Sequence, residues 1–423
     1  MDIEVPHVSR GFKSLVPVDR AVSEFLSRIS HKPLVVERPL GEALGRYLAR
    51  DIIAEVDVPP FDRAAFDGYA VRSLDTMGAS RANPVVLRVV GSARPGRPYE
   101  GTVGEGQAVE IATGSPMPKG ADAVVPYEEA SDRGEAIEVY RPVPPYYYVS
   151  RRGEDLAKGE LVLKAGTRLR PWDLGVLASM GMSKVPVYDV KAAVLSTGDE
   201  LVDVEDLAGG VPPPGKIVNS TRFALVGLFQ ELGADAEYLG VVPDDEKAIE
   251  DVLAKAVEKY DVVATTGGAS VGDPDATHKA VSALAEFYVR GIAARPGRPN
   301  GAAVIKGKPV AVLSGFPVAA IVGFEIFVRP AVLKLVGGRP EPRPAVRGVL
   351  TRRITTPINV RTYARVRAYV KEGRVYIEPL AVTGSGVLST LTRGNALLIV
   401  PENREGYDEG DEVEVQLLRA LDE

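Results

Sequence analysis

The chain has 423 residues, with 51 Lys and Arg against 57 Asp and Glu, three His and a net charge of −6. That length exceeds one ordinary core and predicts three or four domains of roughly 100 to 200 residues each, and the acidic balance argues against non-specific nucleic-acid binding. The absence of Cys excludes disulfides, a thiolate nucleophile, iron–sulfur clusters and thiolate zinc sites, so any metal should be hard and oxygen-bound, which points to magnesium.

No stretch approaches the roughly 18 apolar residues of a membrane span. The first twenty residues lack the basic-then-apolar pattern of a signal peptide, so a cytoplasmic protein with no membrane partner is expected. Six Asn and three Gln beside 33 Pro fit a thermophile.

Val18 to Ile29 puts Val22, Phe25, Leu26 and Ile29 on one helical face, with Asp19 in the first turn. Leu40 to Leu48 is read as a second short helix, with Leu40, Ala43, Leu44, Tyr47 and Leu48 on one side. Asp51 to Val56 turns strand-like. From Pro59-Pro60 to about Tyr148, short apolar runs (Pro84 to Val90, Val109 to Ala112, Ala121 to Val125, Ala136 to Tyr140) separated by Gly and Pro predict a β domain. Two of its loops carry functional groups. Phe61 to Val71 sets Asp67-Gly68 before a strand, and Thr113 to Gly120 offers two hydroxyls, free amides and Lys119; both also hold what ordinary turns need. Tyr146 to Lys184 adds a short β section and a helix near Pro171 to Met180, whose Trp172, Leu174, Val176, Leu177 and Met180 read as core. Its small mixed character matches the first fifty residues, so the two are expected to form one domain interrupted by the β domain.

At Lys191 strands and helices begin to alternate. Ala192 to Leu195, Glu237 to Val242, Val262 to Ala264, Leu284 to Ala293, Ala303 to Ile305 and Val310 to Leu313 read as strands. Arg222 to Leu232, capped by Asn219-Ser220-Thr221, Glu246 to Lys259, a segment from Ala276 and Val318 to Val336 read as helices. This predicts a doubly wound α/β sheet with ligands at the carboxyl ends of its strands. Asp261 to His278 is the leading site candidate, a buried strand that stops in a glycine-rich loop. Gly267 and Gly268 would let amides approach a ligand, Ser270 adds a hydroxyl, and Asp273 and Asp275 precede a helix start. A tight turn with capping side chains is the plainer alternative. The same edge should gather Ser196-Thr197-Gly198-Asp199-Glu200, Asp244, Arg295-Pro296-Gly297-Arg298-Pro299 and Ser314-Gly315. Carboxylates beside an Arg pair suit a ligand that carries phosphate and a hydrated divalent cation, although any one acid alone reads as a cap or a surface charge.

Past Gly337-Gly338 a Pro/Arg-rich linker, Arg339 to Pro344, leads to short alternating segments (Tyr363 to Val370, Arg374 to Pro379, Ala396 to Val400, Glu412 to Leu417) of a small β domain. Its Arg347, Arg352, Arg353, Arg361, Arg365, Arg367, Lys371 and Arg374 form either a solvated face or a wall that attracts an anionic substrate.

Six stretches in order, Phe66-Asp67-Gly68-Tyr69-Ala70-Val71, Ile111-Ala112-Thr113-Gly114, Arg152-Gly153-Glu154-Asp155, Ser196 to Leu201, Thr266 to Gly272 and Arg295 to Pro299, resemble the molybdopterin molybdenumtransferase family, the MoeA and gephyrin E-domain group. The resemblance covers nearly the whole chain. It implies a multidomain α/β and β fold: an interrupted α+β domain for dimerisation (1–57 and 146–188), an inserted β-rich domain (58–145), a doubly wound α/β molybdopterin-binding domain (189–338) and a C-terminal β-barrel-like domain (339–423). It implies a homodimer with its active site between the α/β domain of one subunit and the β-rich domain of the other. The implied reaction is magnesium-assisted hydrolysis of adenylated molybdopterin, with insertion of molybdate and release of AMP in molybdenum cofactor biosynthesis. Carried over by motif, Asp67 and Thr113 approach from the second subunit, and Glu200, Asp244 and Asp275 bind metal or orient the substrate. Ser196, Thr197, Gly198, Gly267, Gly268, Ser270, Ser314 and Gly315 line the substrate, Arg295 and Arg298 hold phosphate or oxyanion, and Arg365 and Ser385 contribute from the tail. Thr113, Ser115 and Arg298 could supply donors to molybdate.

Three departures from the family pattern stand out. Arg295 and Arg298 replace the more usual Lys, which changes point donors into planar forks. Ser314-Gly315-Phe316-Pro317 stands where Pro-Gly-Asn-Pro is common, and Ala64-Ala65-Phe66 where Ser and Met are more usual. Tungstate, nearly equal to molybdate in size and charge, is an equal candidate. The alternatives are an adenylyltransferase-like enzyme, against which the long N-terminal region argues, and a non-catalytic carrier or scaffold. The adenylyltransferase is also a candidate partner.

Overall fold

Hydrophobic residues alternate between two faces along the strand Lys191–Thr197, and this places a core on each side of the sheet to which it belongs. Ala192 and Val194 face one core, while Ala193 and Leu195 face the other. In this computed structural model, which describes residues 3–4, 14–268, 276–381 and 384–423, the chain separates into two units by contacts. One comprises Met1–Ala49, Ala165–Arg170 and Lys184–Glu423, the other Arg50–Lys164 and Pro171–Ser183.

In the first unit six strands form one sheet, in the order Asp235–Val242, Lys191–Thr197, Val262–Thr266, Lys308–Leu313, Gly301–Ile305, Phe287–Arg290. The first four are parallel. The last two each run antiparallel to the neighbour before them; between Gly301–Ile305 and Lys308–Leu313, Lys306 and Gly307, both at positive φ (53° and 71°), turn the chain in two residues. Helices cover both faces. Val18–Arg28, Thr221–Glu231 and the 317–335 helix pack on one, and Glu246–Lys259 and Ala276–Leu284 on the other, as expected of a doubly wound sheet. The 317–335 helix contains a π-helical turn at Phe324–Val328, just ahead of Pro330, a residue with no amide to donate.

A five-stranded barrel closes the chain. Arg361–Lys371, Arg374–Ala381, Ala345–Leu350, Glu412–Leu417 and Ala396–Val400 pair in that order, and Ala396–Val400 pairs back to Arg361–Lys371. Val366, Ala368, Ile377, Leu398 and Val415 fill it.

The second unit is built on a six-stranded sheet, in the order Ala130–Asp132, Ala136–Val139, Val85–Ala93, Gln107–Ile111, Gly68–Val71, Ala123–Pro126. The β reading of this region holds. Gly68 is required there, since a Cβ on it would stand 2.1 Å from the Val125 carbonyl oxygen of the adjacent strand.

Three local expectations fail. Leu40 to Leu48 is not a helix: only Leu40–Glu42 makes one 3-10 turn, Gly45 takes φ +76°, and Tyr47 and Leu48 bridge to Arg168 and Val187. Trp172 is not core but 63% exposed, while Leu177 and Met180 of the same region are buried. The Thr221–Glu231 helix has no side-chain cap, because the Asn219 amide is engaged elsewhere. On the barrel the solvated-face alternative fits better than the attracting wall, because the charges are largely compensated: Arg347 pairs with Glu414, Arg353 with Asp408, Arg367 with Asp422, and Arg361 with Asp19 and Glu402. Among the described residues no helix is long and apolar enough to cross a membrane.

Candidate active site

The register of the parallel strands brings Thr197, Val242, Thr266 and Leu313 to one edge of the sheet. Gly301 pairs with Val312 and Arg290 with Gly301, so the 291–300 segment emerges at the same edge. All five loops singled out in the sequence therefore share it.

Glycine geometry makes the centre of this edge. Gly267 (φ +102°) and Gly268 (φ +56°) lie against Thr197 and Thr277: a Cβ on Gly267 would stand 1.8 Å from the Thr197 carbonyl oxygen, and one on Gly268 2.2 Å from Thr277 Oγ1. The hydroxyls of Thr197 and Thr277 bond each other at 3.0 Å in the core. A Cβ on Gly315 would stand 3.4 Å from Gly267 Cα, so the Ser314-Gly315 loop abuts the Gly267 turn. Ser270 and Asp275, with the rest of Ala269 to Asp275, lie outside the described residues.

Two buried networks hold the flanking loops. Asn219 Nδ2 donates to Ser196 Oγ at 3.0 Å, to Asp203 Oδ1 at 3.1 Å and to the Tyr238 hydroxyl at 2.9 Å, and that hydroxyl donates to Asp203 at 3.0 Å. Burial and then the bond to Asp203 push the Tyr238 phenol up to about 12. Arg222 pairs with Glu205 and Asp203 beneath it. With Ile217 N–H on the Glu200 carbonyl at 2.8 Å, this fixes the backbone of Gly198 to Asp203. Glu200, Asp199 and Asp244 are exposed, and the Asp244 amide reaches Asp199 Oδ1 at 3.3 Å, so these acid loops touch. Ser196 and Thr197 are fully buried and act through the loop they support.

The second network centres on Asn300, which no sequence pattern marked. Fully buried, it accepts from Ser314 N–H at 2.8 Å and donates to the Ala319 carbonyl at 2.8 Å, which ties the 295–299 loop to the Ser314-Gly315 turn. Arg295 and Arg298 are half-buried, and among the described residues neither meets a carboxylate within ion-pair distance. Ser385 reaches the same edge, its carbonyl accepting from Val318 N–H at 3.0 Å. Arg365 is completely buried in the barrel wall; its guanidinium donates to Tyr363 O at 3.2 Å and Gly384 O at 3.4 Å, and burial pulls it down to about 10.

In the second unit, Asp67 precedes Gly68 and Thr113 follows Ile111, residues paired across two strands. Thr113 donates both its amide, at 2.7 Å, and its hydroxyl, at 2.9 Å, to Asp67 Oδ1, and these bonds hold the exposed Asp67 carboxyl below the usual carboxylate range. Oδ2 has no described partner. Ser115 is fully buried, with an Oγ that has no partner among the described residues.

Comparison with known proteins decides the family. Residues 16–181 match the MoeA N-terminal region (domain I and II), 193–334 the "Probable molybdopterin binding domain" and 347–418 the MoeA C-terminal region (domain IV). A Staphylococcus aureus molybdopterin molybdenumtransferase is 32% identical, covering 95% of each chain. The chain belongs to the molybdopterin molybdenumtransferase family. A relative from Methanocaldococcus jannaschii named for molybdopterin biosynthesis is 37% identical over 96% of this chain and 99% of its own. The crystal structure of the molybdopterin biosynthesis moeA protein from Pyrococcus horikoshii OT3 superposes with a TM-score of 0.80 at 36% identity, covering 95% of this chain and all (100%) of that one. The molybdopterin-binding match of this molybdenumtransferase family member contains the five strand-end loops of the sheet, and the C-terminal match lies in the barrel and includes Ser385.

The acids at the edge fit a hard cation by their chemistry. Glu200 and Asp244 are exposed oxygen donors on touching loops, as suits an ion that keeps several waters. Among the described residues no three acids or His converge as a closed metal cage.

Proposed function

We propose that the chain inserts molybdate or tungstate into molybdopterin, with adenylated molybdopterin as substrate and AMP as product. The observation that carries this reading is the pairing of Arg295 and Arg298, half-buried cations without described carboxylate partners, with a neighbouring turn in which Gly267 and Gly268 leave room for nothing but backbone. Amides and planar guanidinium forks are the donors that a phosphoanhydride needs. Hydrolysis breaks one P–O bond of the anhydride and adds water across it, so charge neutralisation and positioning matter more than a protein nucleophile.

In this account Arg295 and Arg298 bind phosphate oxygens, and the amides of Gly267 and Gly268 complete the cradle. Glu200 and Asp244, with Asp275, would hold a hydrated magnesium ion, which when bound neutralises charge on the phosphate oxygens. Asp67, kept ionised by Thr113, orients groups by accepting hydrogen bonds through Oδ2. Asp67 and Thr113 are assigned to the same reaction, and the homodimer, the four-domain division and cytoplasmic location belong to the proposal.

Asp67→Ala and Glu200→Ala test these assignments, since both side chains are exposed. Each is expected to lower the rate of AMP release at least tenfold while the protein still binds the substrate. Full turnover in both variants would remove them from the reaction.

A further inference from the structure

Phe316 is an apolar ring on the sheet edge that the fold itself leaves uncovered. It is 60% exposed, on the turn between the strand Lys308–Leu313 and the helix Pro317–Gly323. Exposure is not slackness, because the turn is tightly held. Phe316 N–H donates to Ser314 Oγ at 3.2 Å, its carbonyl accepts from Ala320 N–H at 2.9 Å, and Val318 N–H reaches the Ser385 carbonyl at 3.0 Å. On one side lies the Gly267 turn, 3.4 Å from where a Gly315 Cβ would stand. On the other lies Gly386, where a Cβ would stand 3.3 Å from Phe316 Cδ1, so the absence of a side chain at 386 makes room for the ring. Val387, 48% exposed, follows directly. Among the described residues no other aromatic ring pairs with Phe316.

We propose that Phe316 is a substrate-binding residue on which a flat nitrogen heterocycle, the pterin or the adenine of the adenylated substrate, stacks while Arg295 and Arg298 hold its phosphates. The inference rests on the transferase reading above and adds the residue that recognises a ring. An ordered, solvent-facing aromatic beside a phosphate cradle meets the needs of such a ligand, which carries a π face at one end and charge at the other. The turn at 384–386 acts as its backing. Arg365 is a positioning residue for that turn, since its guanidinium donates to the Gly384 carbonyl from within the barrel wall.

The test compares wild type, Phe316→Ala and Phe316→Trp. Phe316→Ala is expected to raise the KM for adenylated molybdopterin about tenfold with little change in kcat, as loss of one stacking contact should, and Phe316→Trp should restore it. Equilibrium binding of AMP alone and of molybdopterin alone identifies the stacked ring as the one whose affinity falls in Phe316→Ala. Thermal melting should be unchanged, because the ring is exposed. A wild-type KM in Phe316→Ala, together with unchanged affinity for both probes, overturns the proposal while leaving the transferase reading intact. If the wild type releases no AMP yet Phe316→Ala weakens either probe, the platform stands and the transferase reading falls.

Discussion

Replacing Asn300 with Ala removes at one stroke the acceptor of the Ser314 amide and the donor to the Ala319 carbonyl. Both bonds are 2.8 Å long and Asn300 is fully buried, so two backbone groups would lose their partners away from solvent. At about 1–3 kcal/mol per orphaned group the loss is about 2–6 kcal/mol. A water in the vacated space would bring the effect to the lower half of that range, about 3 kcal/mol. The informative assay is amide exchange at Ser314, which should accelerate about 100-fold, an open-state population shift equivalent to that energy. Global unfolding should be followed by far-UV circular dichroism, since Trp172, the single Trp, lies in the other unit. Asn300→Asp adds a control with a definite sign. Its carboxylate keeps the acceptor for Ser314 but repels the Ala319 carbonyl, so burial raises its pKa in the folded state. A raised acid disfavours folding once the unfolded chain ionises, so this variant should gain stability as the pH falls toward the ordinary carboxylate range. Wild-type exchange at Ser314 in Asn300→Ala, with stability within about 0.5 kcal/mol of wild type, would refute the claim that Asn300 holds the two loops together.

Three further outcomes are expected. Gly267→Ala, which forces a Cβ to within 1.8 Å of the Thr197 carbonyl at φ +102°, should displace the turn and cut AMP release at least tenfold, measurable beside retained circular dichroism. Thr113→Val removes one of the bonds that hold Asp67 below the usual range, so carbon NMR titration should find its carboxyl shifted upward. That depressed pKa contributes stability above the ordinary carboxylate value and loses it as pH falls, so the variant's melting should approach wild type in acid. Glu325→Gln leaves Arg329 and Arg343, each 2.7 Å from the carboxylate, without their partly buried counter-charge, and should destabilise the protein by about 3 kcal/mol near neutrality, the low end for a buried pair. Burial pushes the Glu325 carboxyl up, but the two guanidiniums outweigh it and pull it below its ordinary range. Its contribution is therefore complete above that range, and thermal melts of wild type and variant should converge as the pH drops through it.

The alternation of strands and helices after Lys191 was legible because buried parallel strands are short apolar runs and their helices carry a 3.6-residue period. The convergence of five loops on one edge followed from that pattern alone. The C-terminal barrel was expected from the family resemblance, and its closure rests on Ala396–Val400 returning to Arg361–Lys371. What escaped was set by pairing between distant segments: the antiparallel edge of the α/β sheet depends on Lys306 at positive φ. Leu40 to Leu48 had the apolar spacing of a helix, yet Gly45 and the bridges made by Tyr47 and Leu48 decide otherwise. Asn219 looked like a cap and instead joins Ser196 to Asp203 and Tyr238. Asn300 carries no local pattern that marks it, because its partners Ser314 and Ala319 lie on a distant segment and only the fold brings them together. Arg365 shows the reverse case, since a row of arginines hides which one is buried, and only closure of the barrel settles it.

Oxyanion insertion can be measured by incubating the full chain with adenylated molybdopterin and magnesium, with and without molybdate or tungstate, and quantifying AMP. AMP release that requires the oxyanion is expected, with molybdenum or tungsten recovered on the pterin. A folded protein that binds the substrate but releases no AMP under any of these conditions would contradict it, and would leave a carrier that holds molybdopterin without converting it.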